Sequence, residues 1–274
     1  MVEPAAMSED AHPADLAVSL RGVTKVYGSG VLALGPLDLD VRKGEFVSLL
    51  GPSGCGKSTA LRLIAGLIAP TSGTVGVLQD RCQTRVGHCM GFTIGFVFQE
   101  PTLMPWASVR ENVCLPLKLA HVAAAEADAR IDEALTQVGL SEFAEAFPRE
   151  LSGGMKMRVS LARALVTDPD ILLMDEPFAA LDEITRFRLN NDLLALWRHL
   201  RKTVIFVTHS VFESVYLSQR VIVMTPRPGR IDNEFRIEAP EPRGEDFRTS
   251  ADYAGYCREV SRALAPSCSG QAGS

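Results

Sequence analysis

Residues 51–58 have types and spacing suited to binding phosphate, because they match the pattern G-x-x-x-x-G-K-[ST]. Glycines let the backbone wrap closely enough to direct several N–H groups at phosphate oxygens. The helix that should follow adds its positive N-terminus, while Lys57 would reach the β- and γ-phosphates and the Ser58 hydroxyl would bind Mg²⁺. A glycine-rich turn without a ligand is the alternative. The complete pattern favours binding of a nucleoside triphosphate.

Two carboxylates follow a short apolar run at residues 171–174. Such a run predicts a buried strand, and α/β sheets place ligands at the carboxyl ends of their strands. We expect Asp175 to hold Mg²⁺, directly or through water, and Glu176 to polarise the attacking water as a general base. Alone, the pattern also fits a strand that ends in a solvated turn. Together with the phosphate loop, it indicates an ATPase or a kinase.

A second glycine-containing helix start lies at residues 151–155, which read Leu-Ser-Gly-Gly-Met. Ser152 can cap this helix, and Gly153 and Gly154 allow a close backbone approach to phosphate. A helix cap without a ligand is the alternative here. A second anion-binding helix start in one chain makes sense if it serves the nucleotide held by another subunit.

The elements that must position these residues follow from the hydrophobic pattern. Ser108 and Glu111 have capping-box spacing and should start a helix, and Gly139 should end one. Between residues 101 and 166 the pattern is helical. The predicted strands lie at 18–23, 37–41, 45–50, 71–78, 93–98, 171–174, 204–207 and 221–224, and further helices are predicted at 58–67, 120–138 and 188–200.

Composition bounds the class of protein. The chain has 274 residues, of which 46% are hydrophobic and 22% charged, with a formal net charge of −5. These values exclude wholesale disorder and argue against a nucleic-acid partner. There is no run of 18 apolar residues to predict a membrane span, and the acidic N-terminus does not resemble a secretory signal. We therefore expect a cytosolic location and reduced cysteines. Cys82, His88 and Cys89 lie close together, but the lack of a second ligand pair argues against zinc.

The motifs occur in the order and spacing of an ATP-binding cassette (ABC) subunit, and residues 17–230 resemble that family. The segments that carry the resemblance are 51–59, Gln99, 151–155, 171–176, 180–182 and His209. The resemblance implies ATP as the nucleotide and Mg²⁺ as its metal. It also implies Mg²⁺ ligands at Ser58, Gln99 and Asp175, and catalytic roles for Glu176, His209 and Gln99. The implied nucleotide-binding residues are Tyr27, Gly51, Pro52, Ser53, Gly54, Cys55, Gly56, Lys57, Ser58, Thr59, Ser152, Gly153, Gly154 and Asp182.

Four of these roles come from the resemblance in particular. Tyr27 would stack on the adenine, although it also fits a tyrosine at a strand end. Gln99 would contact Mg²⁺ and the attacking water. His209 would contact the γ-phosphate, although a histidine satisfied in the core fits as well. Asp182 would couple two sites across a dimer. Met155 stands where many cassettes have Gln; because the phosphate contacts fall to Ser152 and backbone N–H groups, we expect activity to survive.

The resemblance also implies the fold and its domains. We expect an α/β P-loop NTPase with a RecA-like core, an antiparallel β subdomain and an inserted helical subdomain at about 101–166. Residues 1–16 are interpreted as a flexible tail and residues 17–239 as the cassette. Residues 240–274 form an extension with a short amphipathic helix, which would bury one face comprising Tyr253, Tyr256, Cys257, Val260 and Leu264.

A narrower resemblance is carried by the segments 96–106, 151–159, 175–182 and 214–231, which are similar to bacterial nitrate, sulfonate and taurine importers. That group implies a homodimer beneath two membrane permease subunits, at the cytoplasmic face of the membrane, with an extracytoplasmic solute-binding protein. The apolar loop 103–106 would contact a permease helix; alternatively, Trp106 packs inside the helical lobe. An exporter ATPase and a soluble P-loop kinase or ATPase remain alternative functions.

Overall fold

A computed structural model of the protein describes residues 15–78, 94–240 and 243–268. The predicted tail at 1–16 lies almost wholly outside the described residues, and so do Cys82, His88 and Cys89. Within the described ranges, no cluster of three or more His, Cys, Asp or Glu side chains is arranged to hold a metal ion. In the same ranges, every helix is too short or too polar to span a bilayer.

The described residues form strands and helices in alternation along much of the chain. The strands are β1 (Leu16–Val26), β2 (Leu32–Arg42), β3 (Phe46–Leu50), β4 (Ser72–Val77), β5 (Ile94–Val97), β6 (Ile171–Asp175), β7 (Thr203–Thr208), β8 (Arg220–Met224) and β9 (Ile231–Arg236). The helices are α1 (Lys57–Ile64), α2 (Val109–Leu119), α3 (Ala124–Gln137), α4 (Gly153–Leu165), α5 (Glu183–Leu200), α6 (Val211–Leu217), α7 (Glu245–Arg248) and α8 (Ala251–Cys268).

The described chain divides into two compact units, and the first comprises residues 15–78, 203–240 and 243–268. It contains an antiparallel sheet in the order β2-β1-β4. It also contains β3 in parallel pairing with both β7 and β8, and β9 antiparallel to β8. Every residue of β3 and β7 is buried, as expected of parallel strands covered on both faces. These strands end where the phosphate loop begins.

The second unit comprises residues 94–202. Strands β5 and β6 pair in parallel, with Val97 opposite Met174. Helix α4 packs against α2, α3 and α5. The predicted capping box is confirmed: the Ser108 hydroxyl accepts from the Glu111 N–H, and the Glu111 carboxylate accepts from the Ser108 N–H at 2.8 Å. Gly139 has a φ of 68° in the turn that follows α3.

Several elements differ from the predicted pattern. The hydrophobic pattern predicted neither helix α6 nor strand β9. Helix α2 continues through Pro116. Helix α5 begins at Glu183, five residues before the predicted start. The C-terminal helix is not short, because α8 spans 18 residues and packs on α6, β8 and β9. The predicted helical face is buried at Tyr253, Cys257 and Val260.

Candidate nucleotide site

The phosphate loop leaves the buried end of β3 and leads directly into α1. Gly54 and Gly56 have φ values of 75° and 105°, in the left-handed region that favours glycine. A Cβ on Gly56 would lie 2.8 Å from the Ala33 carbonyl oxygen, so this position has no room for a larger residue. The loop therefore turns tightly and presents the N-terminus of α1 with no acidic residue in its first turn.

Lys57 lies within this loop and is only 4% exposed. Its ammonium donates to the carbonyl oxygens of Gly51, at 2.8 Å, and Pro52, at 3.0 Å. The side chain therefore folds back over the loop, which holds a positive charge where phosphate oxygens would be received.

Tyr27 follows β1 and lies beside the first turn of α1. Its hydroxyl is 3.3 Å from the Thr59 hydroxyl, and the residue is 38% exposed. The Lys25 ammonium lies 5.6 Å from the centre of the ring. An exposed aromatic ring next to the phosphate loop can stack on a base, so the placement fits the predicted adenine contact.

His209 lies at the same sheet edge as the phosphate loop. Strand β7 pairs in parallel with β3 in a register that puts Thr208 opposite Leu50, so the next residues, His209 and Gly51, leave the sheet side by side. His209 is exposed and is followed by Ser210, the N-cap of α6. The structure thus brings Tyr27, the phosphate loop and His209 into one unit.

Gly229 is a contact of the phosphate loop that the sequence did not indicate. A Cβ on Gly229 would lie 1.9 Å from the Cys55 carbonyl oxygen. The Gly229 backbone also donates to Ala33 and accepts from Gly35, which ties the 226–229 turn to β2. The prolines and glycine of this segment predicted the turn. Its contact with the phosphate loop was not predictable, because the two segments lie far apart in the chain.

In the second unit, Asp175 and Glu176 lie at the carboxyl end of β6. Asp175 is 8% exposed. Glu176 is half-buried and has a φ of 46°, an uncommon conformation for a residue with a side chain and one found disproportionately at functional sites. Gln99 is exposed two residues beyond β5. Because β5 and β6 are parallel neighbours, Gln99, Asp175 and Glu176 leave the strand pair at one edge.

The glycine-containing helix start at 152–154 has the cap that was predicted. The Ser152 hydroxyl accepts from the Met155 N–H at 3.3 Å, at the N-terminus of α4. A Cβ on Gly154 would lie 2.7 Å from Thr185 on α5, and one on Gly153 would lie 3.2 Å from Leu181. The glycines therefore let α4 approach the start of α5 closely, in addition to any contact with phosphate.

Asp182 has a structural role that the sequence reasoning missed. It is the N-cap of α5, and its carboxylate accepts from the Thr185 N–H at 2.9 Å. Hydrogen bonding to Thr185 stabilises the ionised carboxylate and lowers the pKa of Asp182. The side chain sits beside the contact between α4 and α5, where Ser152, Gly153 and Gly154 also lie.

The residues predicted to hold Mg²⁺ offer a suitable set of donor atoms. Ser58 has a hydroxyl oxygen, Asp175 a carboxylate and Gln99 an amide oxygen, and Mg²⁺ prefers oxygen ligands from few side chains together with substrate phosphates. Ser58 lies in the first turn of α1, and Asp175 and Gln99 lie at the strand ends of the second unit. The chemistry of these donors fits the ion.

Comparison with known proteins identifies the family to which the chain belongs. The chain matches the family described as "ABC transporter" over residues 34–179. It is 46% identical to an uncharacterized ABC transporter ATP-binding protein of Methanocaldococcus jannaschii, over 89% of each chain. It is 48% identical to a taurine import ATP-binding protein of Rhizobium johnstonii, over 77% of this chain and 79% of that one.

Solved structures agree. A dimeric bacterial ABC transporter cassette is similar at a TM-score of 0.68 and 34% identity, over 81% of this chain and all of that one. The dimeric post-hydrolysis state of that cassette, bound to ADP and Pi, gives a TM-score of 0.67. The predicted α/β ABC-cassette fold is therefore confirmed. The chain belongs to the ABC transporter family, and it is an ATP-binding cassette with ATPase activity.

Proposed function

We propose that the chain is the ATP-hydrolysing subunit of a bacterial importer for a small solute of the sulfonate, taurine or nitrate type. The observation that carries the proposal is the combination of the complete phosphate loop with the serine- and glycine-capped start of α4. Similarity to the taurine import ATP-binding protein supports the direction of transport and the solute class. In this function the chain works at the cytoplasmic face of the membrane.

The residues of the first unit bind the nucleotide. Backbone N–H groups of the loop 51–56 and the N-terminus of α1 receive phosphate oxygens, and Lys57 leaves its loop carbonyls to pair with the β- and γ-phosphates. Tyr27 stacks on the adenine. His209 holds the γ-phosphate from the end of β7. These contacts fix the phosphate at which water attacks.

The residues of the second unit carry out hydrolysis. The Glu176 carboxylate accepts a hydrogen bond from the attacking water and orients it toward the γ-phosphorus, as ATP and water become ADP and phosphate. Asp175 and Gln99 would hold Mg²⁺, as would Ser58 of the first unit, and the ion would neutralise charge on the phosphates when it is bound. The amide of Gln99 also contacts the water.

A second copy of the chain completes each site in this proposal. The N-terminus of α4, with Ser152, Gly153 and Gly154, supplies the phosphate contacts for the nucleotide bound to the partner's loop. Asp182 caps α5 beside this helix start and would couple the two sites. The dimeric assembly of the related cassette supports this arrangement. Closure of the dimer on ATP and its release after hydrolysis would drive the transport cycle.

Two permease subunits would dock near Trp106. Trp106 is 76% exposed, so the alternative in which it packs inside the helical lobe is wrong. The amide of Asn112 fixes its loop by accepting from the Met104 N–H at 2.7 Å and donating to the Ala107 carbonyl at 3.1 Å. A rigid loop that displays a large aromatic side chain fits docking of an apolar partner helix. An extracytoplasmic binding protein would deliver the solute to the permease.

Uptake in cells tests the proposal. A strain lacking this chain should lose uptake of radiolabelled taurine, an alkanesulfonate or nitrate, and the wild-type gene should restore it, whereas Glu176→Gln should not. Trp106→Ala should abolish uptake and copurification of the permease while the purified chain still hydrolyses ATP. Leu67→Ala is the control, because Leu67 is also an exposed apolar residue, 59% exposed, and lies in the other unit. Normal uptake of all three solutes in the deletion strain would refute the solute class, and phosphoryl transfer to an acceptor other than water would indicate a kinase.

A further inference from the structure

The C-terminal segment, residues 243–268, contacts the C-terminal end of α6. Arg243 is 7% exposed, and its guanidinium donates to the carbonyl oxygens of Tyr216, at 2.9 Å, and Ser218, at 2.8 Å, with a longer bond to Val215 at 3.4 Å. The last carbonyls of a helix have no partner within the helix and attract cations. Arg243 therefore caps the C-terminus of α6 from a different part of the chain.

The same segment holds the opposite end of α6. The hydroxyl of Tyr253, on α8, donates to the Phe212 carbonyl at 3.0 Å, in the first turn of α6. Burial raises the pKa of the Tyr253 phenol, so it stays protonated and remains a donor. In the last turn of α6, the Arg248 guanidinium stacks 3.8 Å from the centre of the Tyr216 ring. A helix of seven residues is marginal on its own, so these contacts fix where it sits.

Helix α6 is joined to His209 through the residues on either side of it. The Thr208 hydroxyl donates to the Glu213 carboxylate, on α6, at 2.5 Å. The Ser210 N–H donates to the Thr208 hydroxyl at 3.0 Å, and the Ser210 hydroxyl in turn accepts from the Glu213 N–H. His209 thus stands between two residues that are both hydrogen-bonded to Glu213. A shift of α6 would move the histidine.

We propose that Arg243, Arg248 and Tyr253 form a clamp on α6 that positions His209 against the γ-phosphate, with Tyr253 as a positioning residue. The clamp rests on the proposed role of His209 in ATP binding. The competing possibility is that residues 243–268 complete the core of the first unit and do nothing for the nucleotide. The two ideas predict different effects of a substitution that removes a clamp contact but leaves the chain folded. Only the clamp predicts weaker binding of a nucleotide that carries a γ-phosphate.

The test compares the affinity of the full-length chain for ADP and for a non-hydrolysable ATP analogue, both with Mg²⁺, by titration calorimetry. Tyr253→Phe removes one hydroxyl and keeps the ring. We expect it to weaken binding of the analogue, and to lower kcat, by about three- to tenfold while ADP affinity is unchanged. Tyr256→Phe is the matched control, because that hydroxyl, on the same helix, donates to the Glu238 carbonyl at 3.3 Å and not to α6. It should leave both affinities unchanged.

A double mutant separates positioning from general destabilisation. If Tyr253 acts through His209, adding Tyr253→Phe to His209→Ala should not reduce analogue affinity further. An equal additional loss in that background, or unchanged analogue affinity in the single variant, refutes the clamp while the role of His209 stands. Unchanged analogue affinity and turnover in His209→Ala alone refute the role of His209, and the clamp with it. Arg243→Met, which removes the Nη1 donor to the carbonyls of Val215, Tyr216 and Ser218, should weaken binding of the analogue in the same direction.

Discussion

Arg163 on α4 donates to the carbonyl oxygen of Thr102 at 3.0 Å, which joins the helix that begins at the serine-glycine cap to the segment that follows Gln99. A second nitrogen of the same guanidinium donates to the Pro101 carbonyl at 2.8 Å. Thr102 has a φ of 46°, so this turn is held in a conformation that its sequence alone does not favour. Burial lowers the pKa of Arg163, which still remains charged at neutral pH.

Replacing Arg163 should therefore destabilise the second unit. Arg163→Met removes the charge-assisted hydrogen bonds to two carbonyls and should lower the free energy of unfolding by about 2 kcal/mol, measured by urea denaturation. Arg258→Met, at an exposed position of α8, should change it by less than about 0.5 kcal/mol. Equal stability of the two variants would contradict a role for Arg163 in holding the turn.

Substitution of the buried Asn112 should change the free energy of unfolding by an amount that depends on pH. Its amide is fully buried and donates to the carbonyls of Met104, Ala107 and Ser108 while accepting from the Met104 N–H. Asn112→Asp would place a carboxylate against three carbonyl oxygens, which raises the pKa of the new acid in the folded state above that in the unfolded state.

The sign for the Asn112→Asp variant follows from linkage. Because the folded state binds the proton more tightly, the variant should be least destabilised relative to wild type below the unfolded pKa of about 3.9 and should lose stability relative to wild type as pH rises through the raised folded pKa. The difference from wild type should exceed about 2 kcal/mol at pH 7.5 and shrink toward pH 5, by urea denaturation at each pH. A difference that does not vary with pH would show that the new carboxylate escapes to solvent.

Local motifs were predictable from the sequence because their partners lie a few residues apart. The Ser108 and Glu111 capping box, the phosphate loop with its glycines, and the Ser152 cap all depend on spacing within one turn or loop. The buried strands were predictable for a similar reason, since a continuous apolar run has few other places to lie. The order of these motifs then gave the fold family.

Contacts between distant segments were not predictable. Strand β9 carries exposed polar residues and shows no apolar alternation, so it forms only because β8 offers an edge. Helix α6 is too short to show a clear helical period in the sequence, and Arg243 and Tyr253 of the C-terminal segment donate hydrogen bonds to its two ends. The contact of Gly229 with Cys55 likewise has no local signal beyond a turn-forming sequence.

The close approach of Gly229 to Cys55 predicts that nucleotide binding is sensitive to a single methyl group outside the phosphate loop. Gly229→Ala would place a Cβ 1.9 Å from the Cys55 carbonyl oxygen, so the loop must shift. We expect ATP affinity to fall by about tenfold or more, measured by titration with a fluorescent ATP analogue. Gly255→Ala, on α8 with nothing within 4 Å of the new Cβ, should leave affinity unchanged. Unaltered affinity in Gly229→Ala would mean that the loop tolerates the displacement.

Lys57 should contribute more to binding than to folding. Its ammonium is held by the loop carbonyls of Gly51 and Pro52, which places it for phosphate before the nucleotide arrives. Lys57→Ala should weaken ATP binding roughly 10- to 100-fold, the value of one or two charge-assisted hydrogen bonds. The same titration checks it, with Lys118→Ala, an exposed residue of α2, as control. Wild-type affinity in Lys57→Ala would contradict the assignment of the phosphate loop.

Glu176 should affect turnover and leave nucleotide binding intact, because its proposed partner is the attacking water and not the nucleotide. Glu176→Gln keeps the shape of the side chain at the end of β6 but removes its basicity. We expect phosphate release to fall by at least about 100-fold while ATP affinity stays within about twofold of wild type. Glu183→Gln, the same change at an exposed position in the first turn of α5, should hydrolyse ATP normally. Near-normal steady-state hydrolysis in Glu176→Gln would remove Glu176 from the mechanism and leave the general base to another residue.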